Sequence, residues 1–137
     1  MLNRFIPFGF FLGAAFQIQD DLLNLCADER YGKELNGDLW EGKRTLMLIQ
    51  ASRCCSAGER AQLAAILQRP WEQRTAVEVA WIRELLLQYE YIDYARKTAN
   101  ELAGAALHEF TLLSGGLPDS REKRFLGQMP AWVIERS

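Results

Sequence analysis

The chain has 137 residues, with 16 Lys and Arg against 18 Asp and Glu, giving a formal charge of −2. That is the length of one domain, apolar enough to build a core without disulfides or a structural metal, and it lacks the basic excess of a nucleic-acid binder. Three cysteines (Cys26, Cys54 and Cys55), no Cys-x-x-Cys pair and one histidine, His108, argue against a disulfide framework and a zinc site and suit a reducing cytosol.

Leu2 to Ile18 is apolar, but Arg4 and Pro7 interrupt its start and Gln17, Gln19, Asp20 and Asp21 its end. A membrane span needs about 18 uninterrupted apolar residues, so the expectation is a buried core helix. The spacing predicts that helix over about Pro7 to Leu25, with proline in its first turn and with Phe8, Phe11, Leu12, Ala15, Phe16 and Leu23 apolar. Gly9 and Gly13 permit close packing or a groove beside it. Asp28 to Gly42 is polar, contains Gly32, Gly37 and Gly42, and reads as a loop.

A second helix is expected from near Thr45 through Leu46, Leu48 and Ile49 toward Ala51. A third runs from about Glu59 to Arg69, with Leu63, Ile66 and Leu67 on one face and Pro70 as its stop. Thr75, followed three residues later by Glu78, forms a capping box that opens a fourth helix with Ile82, Leu85, Leu86 and Tyr89 at helical spacing. A fifth covers Tyr91 to Leu113, with a small-residue face of Ala95, Ala99, Leu102 and Ala106, and Gly115, Gly116 and Pro118 end it. Asp119 is expected to cap a short helix holding Phe125 and Leu126, and a second short helix follows Pro130. Trp71, Trp81 and Trp132 read as packing residues. His108, Arg96 and Lys97 read as structural or solvated. No strand, repeat or linker is visible, so the expected fold is an all-α helical bundle forming a single domain over residues 1–137.

Two segments carry chemistry. In Phe16-Gln17-Ile18-Gln19-Asp20-Asp21-Leu22-Leu23-Asn24, helical geometry puts Phe16, Asp20 and Asn24 on one face, with Asp21 about 100° around. Two like charges ~4 Å apart at an effective dielectric of ~20 repel by roughly 4 kcal/mol, which a bound cation would offset. Oxygen-only ligands favour a hard ion such as magnesium, which also bridges to phosphate oxygens. Taken alone, the pair reads more readily as a solvated surface patch. The second segment brings Lys33, then Asp38, then Gly42-Lys43-Arg44-Thr45 at a helix start. Its cations and backbone N–H groups suit phosphate oxygens, and Asp38 could orient a lysine. Alone it reads as an exposed charged loop. Together the two make sense as a magnesium–diphosphate site.

The first segment resembles the second aspartate-rich motif of the trans-isoprenyl diphosphate synthases. Asn36-Gly37-Asp38-Leu39-Trp40-Glu41-Gly42-Lys43-Arg44-Thr45-Leu46 is similar to the loop that follows it in geranylgeranyl diphosphate synthases. Tyr91-Ile92-Asp93-Tyr94-Ala95 and Pro130 to Arg136 are similar to later helices of that family. The resemblance implies a partial isoprenoid synthase fold, usually dimeric, with a cavity for a prenyl chain. It implies condensation of isopentenyl diphosphate with an allylic diphosphate, in which magnesium ions assist ionisation of the allylic partner. It makes Asp20 the direct magnesium ligand, with Asp21 acting mainly through water, and gives Gln17, Lys33 and Lys43 to the allylic diphosphate or the support of its site. Asn24 stands where the family's usual third aspartate would be, bringing an oxygen but no charge. The first aspartate-rich motif is absent from these 137 residues. The expected role is therefore the second acidic metal site of a cytoplasmic prenyltransferase, inactive alone, working as a homodimer or with an upstream half. The alternative is a non-catalytic subunit that pairs with a full synthase. A terpene cyclase relative is disfavoured by the lysine-bearing loop.

Overall fold

The computed structural model describes residues 2–26 and 37–136, and every described regular element is helical. The order is α1 (Leu2–Cys26), α2 (Gly37–Glu41), α3 (Leu46–Cys54), α4 (Ala57–Gln68), a 3₁₀ turn (Trp71–Gln73), α5 (Ala76–Gln88), α6 (Tyr91–Ser114) and α7 (Arg121–Glu135). The helix starts follow local chemistry. Thr45 accepts from Leu48 N–H at 3.2 Å and opens α3. Ser56 with Glu59 opens α4, and Thr75 with Glu78 opens α5, each as a complete capping box. Each satisfies donors that a first turn otherwise leaves open, typically worth ~1 kcal/mol. Glu90, at φ 59°, takes the left-handed conformation between α5 and α6, so the two helices follow with almost no connection.

Four expectations need correction. Helix α1 begins at Leu2, so Pro7 lies inside it rather than at its start. Gly37–Glu41 is helical where a loop was expected. One helix, α7, runs through Pro130, and its cap is Ser120, which accepts from Lys123 N–H at 3.1 Å; Asp119 does not cap it. Pro130 is buried, and residues around it stay helical because packing outweighs one lost backbone bond. Trp71 and Trp132 are 58% and 55% exposed, so they are not core residues, while Trp81 is half-buried.

Contacts group the chain into two compact units, residues 1–20 with 96–137, and residues 21–95; their boundaries fall inside α1 and α6. The first unit packs small residues against aromatics. Ala106 lies among Phe8, Phe110 and Leu113, and Ala103 beside Ala15 and Val133. Of the small-residue face read from the sequence of α6, Ala95, Ala99 and Ala106 are fully buried and Leu102 is half-buried. The second unit has a Leu- and Ile-rich core, with Leu25, Leu39, Met47, Leu63, Ile82 and Leu86 essentially closed to solvent. Burying each such side chain contributes roughly 1.5–3 kcal/mol. Helix α5 lies against α2 and α3, and α3 against α4.

Candidate functional site

The acidic turn of α1 has two unlike members. Asp20 is half-exposed, whereas Asp21 is buried, with only 7% of its side chain accessible. Burying a carboxylate demands a partner, and Lys43 supplies it: Nζ donates to Asp21 Oδ1 at 2.6 Å. The same ammonium lies 3.9 Å from Asp38 Oδ2, within ion-pair reach but beyond hydrogen-bonding distance. Lys43 keeps 40% of its side chain exposed, so one end of the pair faces water.

Asn24, one turn after Asp20, spends its oxygen differently. Oδ1 accepts from the backbone N–H of Asp38 at 3.0 Å and so holds the first turn of α2. The other end of α2 closes by a Schellman turn: Gly42 N–H reaches Leu39 O at 3.2 Å, and Lys43 N–H reaches Asp38 O at 3.0 Å. Gly42 has φ 74°, which glycine adopts without penalty, and Lys43 is the next residue. This turn leaves the Trp40 carbonyl over, and Arg74 Nη1 donates to it. Arg74 is 8% exposed, and its remaining donors go to Ile66 O at 3.2 Å and to Leu67 O and Arg69 O at 2.9 Å each.

Asp21, Lys43, Asp38 and Asn24 are therefore brought together. Phe16 and Gln17 are exposed on α1, and the Phe16 ring is covered by the Arg136 guanidinium, 4.2 Å from its centroid. Arg44 is exposed and lines a groove of about 570 Å³ with Glu41, Gly42, Leu48, Gln68 and Arg74. Lys33 lies outside the described residues. Two residues escaped sequence reasoning. Arg74 has no local signal beyond a charge between a proline-terminated helix and a capping box. Gln19 sits within the acidic motif, yet its amide donates to Ile134 O at 3.4 Å and Arg136 O at 3.0 Å, tying α1 to the end of α7.

Among the described residues no three His, Cys, Asp or Glu side chains converge as a metal cage. The donor set fits a hard cation only if the protein supplies few of its oxygens and water or phosphate the rest, the usual habit of magnesium.

Residues 1–85 match the profile of the polyprenyl synthetase family. The chain belongs to that family. It is 30% identical over 131 residues to octaprenyl diphosphate synthase of Haemophilus influenzae, covering 95% of this chain and 38% of that protein. The crystal structure of geranylgeranyl pyrophosphate synthetase from Pyrococcus horikoshii superposes with a TM-score of 0.80 at 26% identity, over 98% of this chain and 39% of that one. Geranylgeranyl pyrophosphate synthase from Corynebacterium glutamicum, solved with calcium and isoprenyl diphosphate, gives 0.71 at 27% identity, over 93% and 38%. The family is the trans-isoprenyl diphosphate synthase family resembled in sequence, and the all-α architecture is part of the helical synthase fold. The chain spans about two-fifths of the length of the curated relatives it matches. No helix among the described residues is long and apolar enough to cross a membrane.

Proposed function

We propose that this chain supplies the second acidic metal site of a cytoplasmic, magnesium-dependent isoprenyl diphosphate synthase that condenses isopentenyl diphosphate with an allylic diphosphate. The single observation that supports it most is the Lys43 ammonium 2.6 Å from Asp21 Oδ1. A cation held on one carboxylate, beside a second carboxylate in the same helical turn, is the polarity a metal-bound diphosphate requires. The solved Corynebacterium relative holds a divalent ion and an isoprenyl diphosphate, consistent with this chemistry.

In this reading Asp20, the more exposed of the two, offers its oxygens directly to the cation. Asp21 is already bonded to Lys43 and acts through water. Asn24 contributes through its hold on α2. When bound, magnesium would neutralise charge on the departing diphosphate. Lys43, Lys33 and Gln17 bind and orient that diphosphate, and Phe16 lines the approach. The working species is a homodimer or a complement with the upstream part of a synthase.

The test is to incubate the chain with magnesium, farnesyl diphosphate and labelled isopentenyl diphosphate, alone and with an upstream half. Product is expected only with the complement, and Asp20→Ala is expected to abolish magnesium-dependent diphosphate binding by the complex. Binding unchanged by Asp20→Ala removes that residue from the role. Magnesium-independent pairing with a complete synthase, without turnover, supports the non-catalytic reading instead.

A further inference from the structure

A five-residue helix cannot persist on its own hydrogen bonds, because nucleation costs more than one turn returns. Helix α2 is that short, yet it carries Asp38 and delivers Lys43. Two side chains from outside it take up polar groups at its ends. At the amino end, Asn24 Oδ1 takes the Asp38 N–H at 3.0 Å. At the carboxyl end, the Schellman turn uses the carbonyls of Asp38 and Leu39, and Arg74 takes that of Trp40. Arg74 is itself fixed, with its other donors on three carbonyls between Ile66 and Arg69 at the end of α4. Its planar fork engages four carbonyls at once, which a lysine ammonium cannot reproduce. The guanidinium also packs on the hinge glycine: a Cβ on Gly42 would lie 3.0 Å from both Nη1 and Nη2.

We infer that Arg74 is a positioning residue for the candidate site: it anchors the carboxyl end of α2 to α4 and so fixes the Gly42 turn that sets the Lys43 ammonium on Asp21. It touches neither Asp21 nor Lys43 in any contact described above, and acts through Trp40 and Gly42. The inference rests on the proposed function for its catalytic meaning, while the positioning itself is purely geometric.

The experiment measures acylation of Lys43 by a limiting amine-reactive ester, read by peptide mass spectrometry and normalised to exposed Lys97. The proteins are wild type, Arg74→Met, Gly42→Ala and the core control Ile82→Val. Release of Lys43 from Asp21 is expected to raise its relative acylation at least fivefold in Arg74→Met and in Gly42→Ala, and to leave Ile82→Val within twofold of wild type. If Arg74→Met loses its helical circular dichroism, Gly42→Ala decides, because it keeps the guanidinium and disturbs the hinge on which that guanidinium packs. Lys43 acylation unchanged in the folded variants, or raised equally by Ile82→Val, overturns the inference. Calorimetric titration of wild type with inorganic pyrophosphate and magnesium forms a separate arm. Absence of binding there weighs against the proposed function and leaves the acylation result standing, whereas binding with unresponsive acylation sinks the positioning role alone.

Discussion

Arg74 and Arg136 are both guanidinium groups withdrawn from bulk water, one in each compact unit, and they are accommodated in opposite ways. Arg74 donates to four backbone carbonyls drawn from the ends of two helices. The Arg136 guanidinium carbon lies over the Phe16 ring, 4.2 Å from its centroid, and 5.5 Å from that of Trp132, and its buried Nε and Nη2 meet no acceptor among the described residues. The first arrangement is a polar junction in which the carbonyls of Trp40, Leu67 and Arg69 take a donor from the arginine, while that of Ile66 also accepts the Arg69 N–H at 3.3 Å. The second is a cation over aromatic faces, worth about 0.5–2 kcal/mol, whose partners lose little when it leaves. The cost of losing a charged group is set by what is left unsatisfied behind it.

The contrast breaks most clearly at Arg74. Arg74→Met keeps the apolar stem and removes four hydrogen bonds, while the Ile66 carbonyl keeps the Arg69 N–H at 3.3 Å. At about 1 kcal/mol net for each lost bond, denaturant unfolding should register a loss of roughly 3–5 kcal/mol. A loss below about 1 kcal/mol would mean that water replaces the guanidinium freely.

The packed unit offers an intermediate test at Gly127 of α7. A Cβ there would stand 2.8 Å from Phe110 Cε1, an overlap that the ring must relieve within a core shared with Phe8 and Ala106. Overpacking costs about 1–3 kcal/mol, against a gain of about 1 kcal/mol from replacing a helical glycine. Gly127→Ala should therefore destabilise by about 1 kcal/mol, and a raised Tm would show that the ring swings aside at no cost. Arg136→Met should cost less again, about 0.5–1 kcal/mol in the same assay.

The smallest expected effect is a surface one with a pH signature. Tyr89 Oη donates to Glu59 Oε1 at 2.7 Å. That bond, with help from Ser56, holds the Glu59 carboxyl below its ordinary value of 4.5. The same bond raises the Tyr89 phenol above 10. For Glu59 the lowered value means stability present above pH 4.5 and lost as pH falls through the lower folded value. For Tyr89 the raised value means stability present below pH 10 and lost as pH rises through the higher folded value. Tyr89→Phe should thus lower Tm slightly between these limits, with the difference from wild type vanishing at both extremes. A difference that persists at pH 3 would assign the effect to packing.

Much of the chain was readable because its signals are local. The capping box at Thr75 and Glu78, the stop at Pro70 and the alanine face of α6 each depend on residues within a turn or two. The box at Ser56 and Glu59 is equally local, and it opens α4 at Ala57 rather than at the expected Glu59. Pro7 and Pro130 were read as helix limits by local rule, and both lie inside helices because long-range packing outweighs one missing bond. Helix α2 was read as loop because glycines and charge dominate it; its helicity depends on Asn24 and Arg74, 14 and 34 residues distant from their bonding partners Asp38 and Trp40.

Sequence by itself determined the all-helical class and most of the longer helices, the acidic turn Asp20-Asp21 and the cationic segment at Lys43, since side-chain periodicity and residue chemistry travel with the chain. It did not determine that Asp21 would be the buried partner of Lys43, that Asn24 would hold a backbone N–H, or that an arginine 34 residues from Trp40 would secure the turn between them. Those outcomes rest on which polar groups lose water when the helices pack. A lost hydration shell must be replaced by whatever donor or acceptor the tertiary fold brings within reach.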